Sequence, residues 1–106
     1  MKLGDIYWVN LDATVGSEIK KKRPCVIIGA TPINRARRTV VVLPLSTSAQ
    51  ANPPLTVAVS ALNRIAVVVC DQIRAIDKSR FVGFAGRLSR DNIDSVEDCL
   101  KQVLAL

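Results

Sequence analysis

Apolar and polar positions alternate at the start of the chain, with Ile6, Trp8 and Asn10 on one side and Tyr7, Val9 and Leu11 on the other. That period of two predicts a strand over 5–11. Residues 24–30 are apolar at almost every position, as expected of a strand covered on both faces. Residues 39–45 and 65–70 read the same way, and Pro44, which has no N–H for a ladder, is expected at a sheet edge or strand end. Residues 55–60 alternate Leu55, Val57, Val59 against Thr56, Ala58, Ser60, the pattern of a strand with one wet face. A last strand over 81–88 is interrupted by Gly83 and Gly86 and is expected to bend or bulge. Loops fill 12–22 and 46–54, a short turn surrounds Asn63, and Thr31-Pro32-Ile33-Asn34 turns the chain or starts one helical turn. The period then changes. Ile93, Val96, Leu100, Val103 and Leu104 share a helical face, Ser89 stands at the N-cap, and Asp91 suits the positive end of the helix dipole. Many short strands closed by one amphipathic helix predict a mainly β (α+β) fold, a small, strongly bent antiparallel barrel with the helix packed on its sheet.

Composition narrows the function. With 106 residues, 49% of them apolar, and no repeat, linker or composition break, the chain is expected to be a single domain, 1–106, with one core. A formal charge of +6 favours a polyanion as partner, because each phosphate neutralised by Lys or Arg releases condensed counterions. No apolar run approaches the roughly 18 residues that cross a bilayer, and the N-terminus has no signal-peptide core, so a soluble, cytoplasmic protein is expected. The three cysteines, Cys25, Cys70 and Cys99, lie in apolar segments without CxxC spacing and read as buried free thiols. There is no histidine, which removes the usual metal ligand and neutral-pH proton shuttle. Neither a metal nor another cofactor is expected.

Within this frame, Lys20-Lys21-Lys22-Arg23-Pro24 is the most informative stretch. Proline biases Arg23 to extended backbone at the mouth of a buried strand, where its guanidinium fork can grip a phosphate in two places. RNA carries its own nucleophile, the 2′-hydroxyl. A protein that cleaves it has only to help remove that proton, stabilise charge on the phosphoryl group and assist the leaving 5′-oxygen. Arg23 is the candidate for charge stabilisation, Ser46 or Thr47 for a hydroxyl donor, and Glu18 or Asp71 for the base. Arg35, Arg37 and Arg38 form a second basic cluster. Each feature also has a plainer use: the hydroxyls as turn caps, Asp71 and Asp77 as ion-pair partners of Arg74 and Arg80.

These residues resemble the MazF/PemK/Kid family of toxin endoribonucleases. The likeness runs through residues 4–12, Val15-Gly16-Ser17-Glu18, Arg23-Pro24, Asn34-Arg35, residues 42–48 and residues 70–78. The resemblance implies an SH3-like barrel, a homodimer, and metal-independent cleavage of single-stranded mRNA that leaves a 2′,3′-cyclic phosphate and a 5′-hydroxyl. It also implies a cognate acidic antitoxin of the MazE/PemI type, whose flexible tail covers the RNA groove. Arg23 matches the family's catalytic arginine, Glu18 a residue lining the RNA site, and Ser46 a position where many members carry threonine, with Thr47 next to it. Ser17, Lys20, Lys21, Lys22, Ser48, Gln72 and Arg74 are the expected substrate contacts. Ser17 stands where the Kid branch has histidine and Val69 where it has arginine, so of that set only Asp71 remains and the mechanism is expected to follow the MazF branch.

Two other readings compete. A toxin of the same fold that poisons gyrase, as the CcdB group does, would carry a tryptophan in its tail; this chain ends Val103-Leu104-Ala105-Leu106 and its sole tryptophan is Trp8. A non-catalytic RNA-binding module would use the same basic clusters without releasing fragments.

Overall fold

A computed structural model describes residues 1–11 and 22–106. Among these residues, seven strands form one curled antiparallel sheet: β1 (Asp5–Asn10), β2 (Lys22–Ile27), β3 (Thr39–Ser46), β4 (Thr56–Ala61), β5 (Arg64–Val69), β6 (Arg74–Asp77) and β7 (Phe81–Arg87). A six-residue helix, α1 (Thr31–Ala36), links β2 to β3, and a fifteen-residue helix, α2 (Arg90–Leu104), follows β7. The strand order is β4-β5-β3-β2-β1-β7, with β6 also paired to β3. This is a half-barrel closed by a C-terminal helix, as the hydrophobic pattern predicts.

β3 makes the curl. Residues Thr39 to Val42 pair with β6, Leu45 and Ser46 pair with β5, and on the other side Val42 to Pro44 pair with β2. The expectation for Pro44 is thereby corrected. It is buried inside a central strand, paired with Cys25, and lies where β3 has left β6 and not yet met β5. The ladder is already broken on that side, so a residue without an N–H is tolerated there. β6 was not predicted as a strand, because only Ile76 of its four residues is buried and no alternation shows. The bend expected in the last strand is present as register shifts between β1 and β7 at Ile6/Tyr7 and Trp8/Val9. Leu62 and Asn63, both at positive φ (56° and 62°), make the tight turn of the β4–β5 hairpin.

The predicted faces of β1 hold. Ile6 joins the larger core, with Val26, Leu43, Val68 and Val96, whereas Val9 joins a second cluster of Cys25, Ile27, Val40, Val42 and Ile76, against which Tyr7 and Leu11 pack. α2 buries Val96 and Cys99 on the sheet, with Ile93, Leu100 and Val103 alongside, and Ser89 Oγ accepts the Asn92 N–H at 3.2 Å as its cap. Leu104, expected on that face, is 50% exposed and lines an open groove with Ile28 and Val41. All three cysteines are buried and free; burial pushes Cys25 up to about 11, and burial together with the neighbouring Cys99 pushes Cys70 up to about 12. No helix among the described residues is long and apolar enough to cross a membrane.

Two buried polar groups fasten the start of the chain. The Asn34 amide donates to the carbonyls of Met1 (3.1 Å) and Gly29 (2.9 Å), tying α1 to the N-terminus. Asp5, 4% exposed, accepts the Lys2 N–H at 2.9 Å and the Arg87 Nε–H at 2.8 Å. Burial alone would raise the Asp5 carboxyl, but these donors hold it below its ordinary value.

Candidate nucleic-acid interface

Arg23 is exposed near the start of β2, its backbone paired with Val9, and the buried Pro24 beside it is paired with Trp8. β2 meets β3 at Cys25↔Pro44, and continuing that antiparallel register by two residues sets Arg23 level with Ser46, the end of β3. A cleft of about 390 Å³ opens at this end of the half-barrel, lined by Trp8, Lys22, Arg23, Pro24, Leu45, Thr47, Leu62 and Arg64. Three cations, one hydroxyl and one indole therefore share one concave surface.

The two candidate hydroxyls are used differently. Ser46 Oγ accepts the backbone N–H of Ser48 (3.3 Å) and of Ala49 (3.1 Å) and lies 3.4 Å from Ser48 Oγ, so it closes the turn that follows β3. Ser46 does not line the cleft; Thr47, exposed beside it, does. Ser48 is exposed within the same turn.

The other predicted residues spread further. Ser17, Glu18, Lys20 and Lys21 lie outside the described residues. Asp71 and Gln72 are exposed just past β5, at the opposite end of that strand from Arg64. Asp71 thus lies in the turn beyond β5, three residues past Val68, the partner of the cleft-lining Leu45. Arg74 reaches instead to the exit of β1: its Nη2 donates to the Leu11 carbonyl at 3.2 Å, and Arg80 donates to the same oxygen. The plainer alternative, Asp71 and Asp77 as partners of Arg74 and Arg80, is not what these two arginines do; Asp77 lies 3.7 Å from Arg38 and accepts the Ser79 N–H at 2.9 Å. That N–H, with the Arg38 guanidinium, holds the Asp77 carboxyl below its ordinary value. No group of three or more potential metal ligands occurs among the described residues.

Two lining residues able to contact a nucleic acid, Trp8 and Arg64, were not expected there. Trp8 shares its alternation face with the fully buried Ile6, yet it is 38% exposed because it sits at the open end of the half-barrel. A large aromatic ring between Ile6 and the polar Asn10 on that face was the available signal. Arg64 is the lone cation of the β4–β5 hairpin and gives no pattern until the hairpin is folded.

A family profile described as "PemK-like, MazF-like toxin of type II toxin-antitoxin system" matches residues 2–104. The chain belongs to this toxin family. It is 33% identical to endoribonuclease EndoA of Bacillus subtilis over 111 residues, covering 100% of this chain and 96% of that protein. It is 30% identical to endoribonuclease MazF9 of Mycobacterium tuberculosis over 115 residues, covering 100% and 98%. Among solved structures, a mycobacterial endoribonuclease in complex with its cognate antitoxin superposes with a TM-score of 0.85 at 21% identity, covering 100% of this chain and 96% of that one. MazF of Deinococcus radiodurans gives 0.83 at 23% identity, covering 100% and 97%. The half-barrel with a C-terminal helix is thus the fold of the MazF toxins.

Proposed function

We propose that this toxin is an endoribonuclease that inhibits translation by cutting single-stranded mRNA in the cytoplasm, without a metal. The reading is carried by one observation: Arg23 and Thr47 line the same basic cleft. In that arrangement the Arg23 guanidinium binds the non-bridging oxygens of the scissile phosphate and neutralises the charge that grows as the 2′-oxygen attacks. Thr47 donates a hydrogen bond to the same phosphate, Lys22 and Arg64 hold the flanking backbone, and Trp8 offers a face on which a base can stack. In-line displacement forms the P–O2′ bond of the 2′,3′-cyclic phosphate and breaks the P–O5′ bond, and the leaving 5′-oxygen takes a proton from water to become the 5′-hydroxyl. Glu18 and Asp71 remain the two carboxylates proposed to take the 2′-hydroxyl proton.

The same reading includes a homodimer and an acidic antitoxin. Ile65 (67%), Phe84 (56%), Leu104 (50%) and Leu106 (87%) are exposed, more large apolar surface than a lone small chain profits from showing. The clefted cations suit the acidic, flexible tail of a MazE/PemI-type partner, and a structural neighbour was solved with its cognate antitoxin.

The test is cleavage of unstructured RNA in EDTA by the purified protein, with the 5′ ends of the fragments sequenced. Wild type should cut and Arg23→Ala should lose at least about 10²-fold in rate with its melting temperature unchanged. Chelator-sensitive cutting that persists in Arg23→Ala would overturn the reading.

A further inference from the structure

The second basic cluster has no part in the Arg23 cleft. Arg37 and Arg38 lead from α1 into β3, and with Arg35, Ala36 and Lys78 they line a separate cleft of about 320 Å³. The Lys78 N–H bonds the Arg38 carbonyl at 2.8 Å, which carries the β3–β6 ladder one step past Thr39↔Asp77 and holds these two cations side by side. Among the described residues the one acid paired there is Asp77, 3.7 Å from Arg38 and already accepting the Ser79 N–H. Four cations therefore face one occupied carboxylate.

Position ties this cleft to the first. Arg38 and Ser46 bracket β3, eight residues apart, or ~26 Å of extended strand. Arg74 stands between: it pairs with Val42, which pairs with Ile27, and strand alternation puts Ile27 on the same sheet face as Arg23. Cations thus recur along β3 from one end to the other. We propose that the Arg37–Arg38–Lys78 cleft is a second phosphodiester site, which holds the RNA backbone several nucleotides away from the scissile phosphate.

The chemistry favours nucleic acid over an acidic protein tail. The cleft has no apolar lining larger than the methyl of Ala36, so it lacks the pockets in which a peptide anchors its side chains. Guanidinium forks suit phosphate oxygens, and a single strand presents one phosphate per nucleotide, so two clefts on one sheet can share it. At ~3.4 Å per stacked nucleotide the two sites are about eight nucleotides apart.

The inference rests on the endoribonuclease reading, and its test separates the two. Full-length protein is given two RNAs with the same cut site, of about six and about 20 nucleotides, the first too short and the second long enough to span ~26 Å. Arg37→Ala/Arg38→Ala/Lys78→Ala should lower kcat/KM on the long RNA about tenfold or more and leave the short RNA unchanged. With a long 2′-O-methyl RNA that cannot be cut, the slope of log K against log salt should fall by about 2, three contacts at ~0.7 each. The milder Arg37→Gln/Arg38→Gln variant, which keeps side-chain bulk, should show the same direction with a smaller loss. Equal loss on both RNAs, no loss on either, or an unchanged slope would overturn the site. So would an unchanged RNA slope with lost binding to poly-glutamate, which assigns the cleft to an acidic protein. If wild type cuts neither RNA, the cleavage proposal fails and the salt slope still decides this one.

Discussion

Asn34 is 2% exposed, and its amide donates at 3.1 Å to Met1 and at 2.9 Å to Gly29. Asn34→Ala deletes both bonds. At ~1 kcal/mol net per hydrogen bond, with a further increment for the Gly29 carbonyl left unpaired, the cost should be about 2–3 kcal/mol. For a chain of this size that is about 8–12 °C in Tm. Asn34→Asp probes the same site with charge, since an ionised carboxylate would face two carbonyl oxygens where the amide donated. Its folded-state pKa must lie above the unfolded value of about 3.9, because burial and both carbonyls disfavour the anion. The sign follows: the protonated Asp contributes its stability in full below about pH 4, and that contribution is lost as pH rises through the raised folded value. Urea titrations of wild type and both variants at about pH 4 and pH 7 read this directly. Asn34→Asp should lose stability relative to Asn34→Ala on going from acid to neutral pH. Either Asn34→Ala within about 0.5 kcal/mol of wild type, the range of ordinary surface substitutions, or an Asn34→Asp that strengthens towards neutrality would refute the account. Gly29→Ala places a Cβ 2.6 Å from Asn34 Oδ1, so its cost should shrink in the Asn34→Ala background.

Other consequences can be measured alongside. Thr47→Val should lower the RNA cleavage rate by about 10²-fold or more while Thr47→Ser keeps most of it, and Ser46→Ala should mainly loosen the turn at a cost of about 0.5–1 kcal/mol; a Ser46→Ala rate below that of Thr47→Val would exchange the two roles. With Cys25 pushed from 9.0 up to about 11 and Cys70 up to about 12, Ellman's reagent should meet unreactive thiols in the native protein and three reactive ones in denaturant, so rapid native labelling of Cys25 or Cys70 counts against their burial. Asp5 has a lowered folded-state pKa, so its contribution is present above its unfolded value and lost as pH falls through the folded one. Asp5→Asn should flatten the acid limb of the stability curve, and Arg87→Ala, which removes a half-exposed partner, should cost about 1 kcal/mol near neutrality and less in acid.

Periodicity carried most of the fold. The alternation of β1, the apolar runs of β2, β3 and β5, and the Ser89-capped face of α2 each name their element because burial on one side leaves a regular trace. What it missed has a common cause in tertiary context. β6 is a strand only because β3 offers it an edge, and Pro44 is interior only because two neighbours of β3 part company there. At the site, Arg23 and Thr47 were legible from local chemistry, the fixed backbone before a proline and a hydroxyl at a strand end. Trp8 and Arg64 were not, since their meeting with Arg23 needs strands β1, β2 and β5 to be brought to one rim. Asp71 reads in the sequence only as a carboxylate after a buried strand, and its place relative to the cleft depends on the direction of β5.

The handover along β3 also bears on how the molecule breathes. Every residue of β3 is paired with β2, β5 or β6, and Val42 with both Ile27 and Arg74, whereas β4 and β7 end the strand order. Deuterium should therefore enter the outer strands through local fraying and reach Val42 or Leu45 only when the whole chain opens. A toxin built this way can loosen its rims, where the proposed RNA cleft lies, while one central ribbon keeps the memory of the fold.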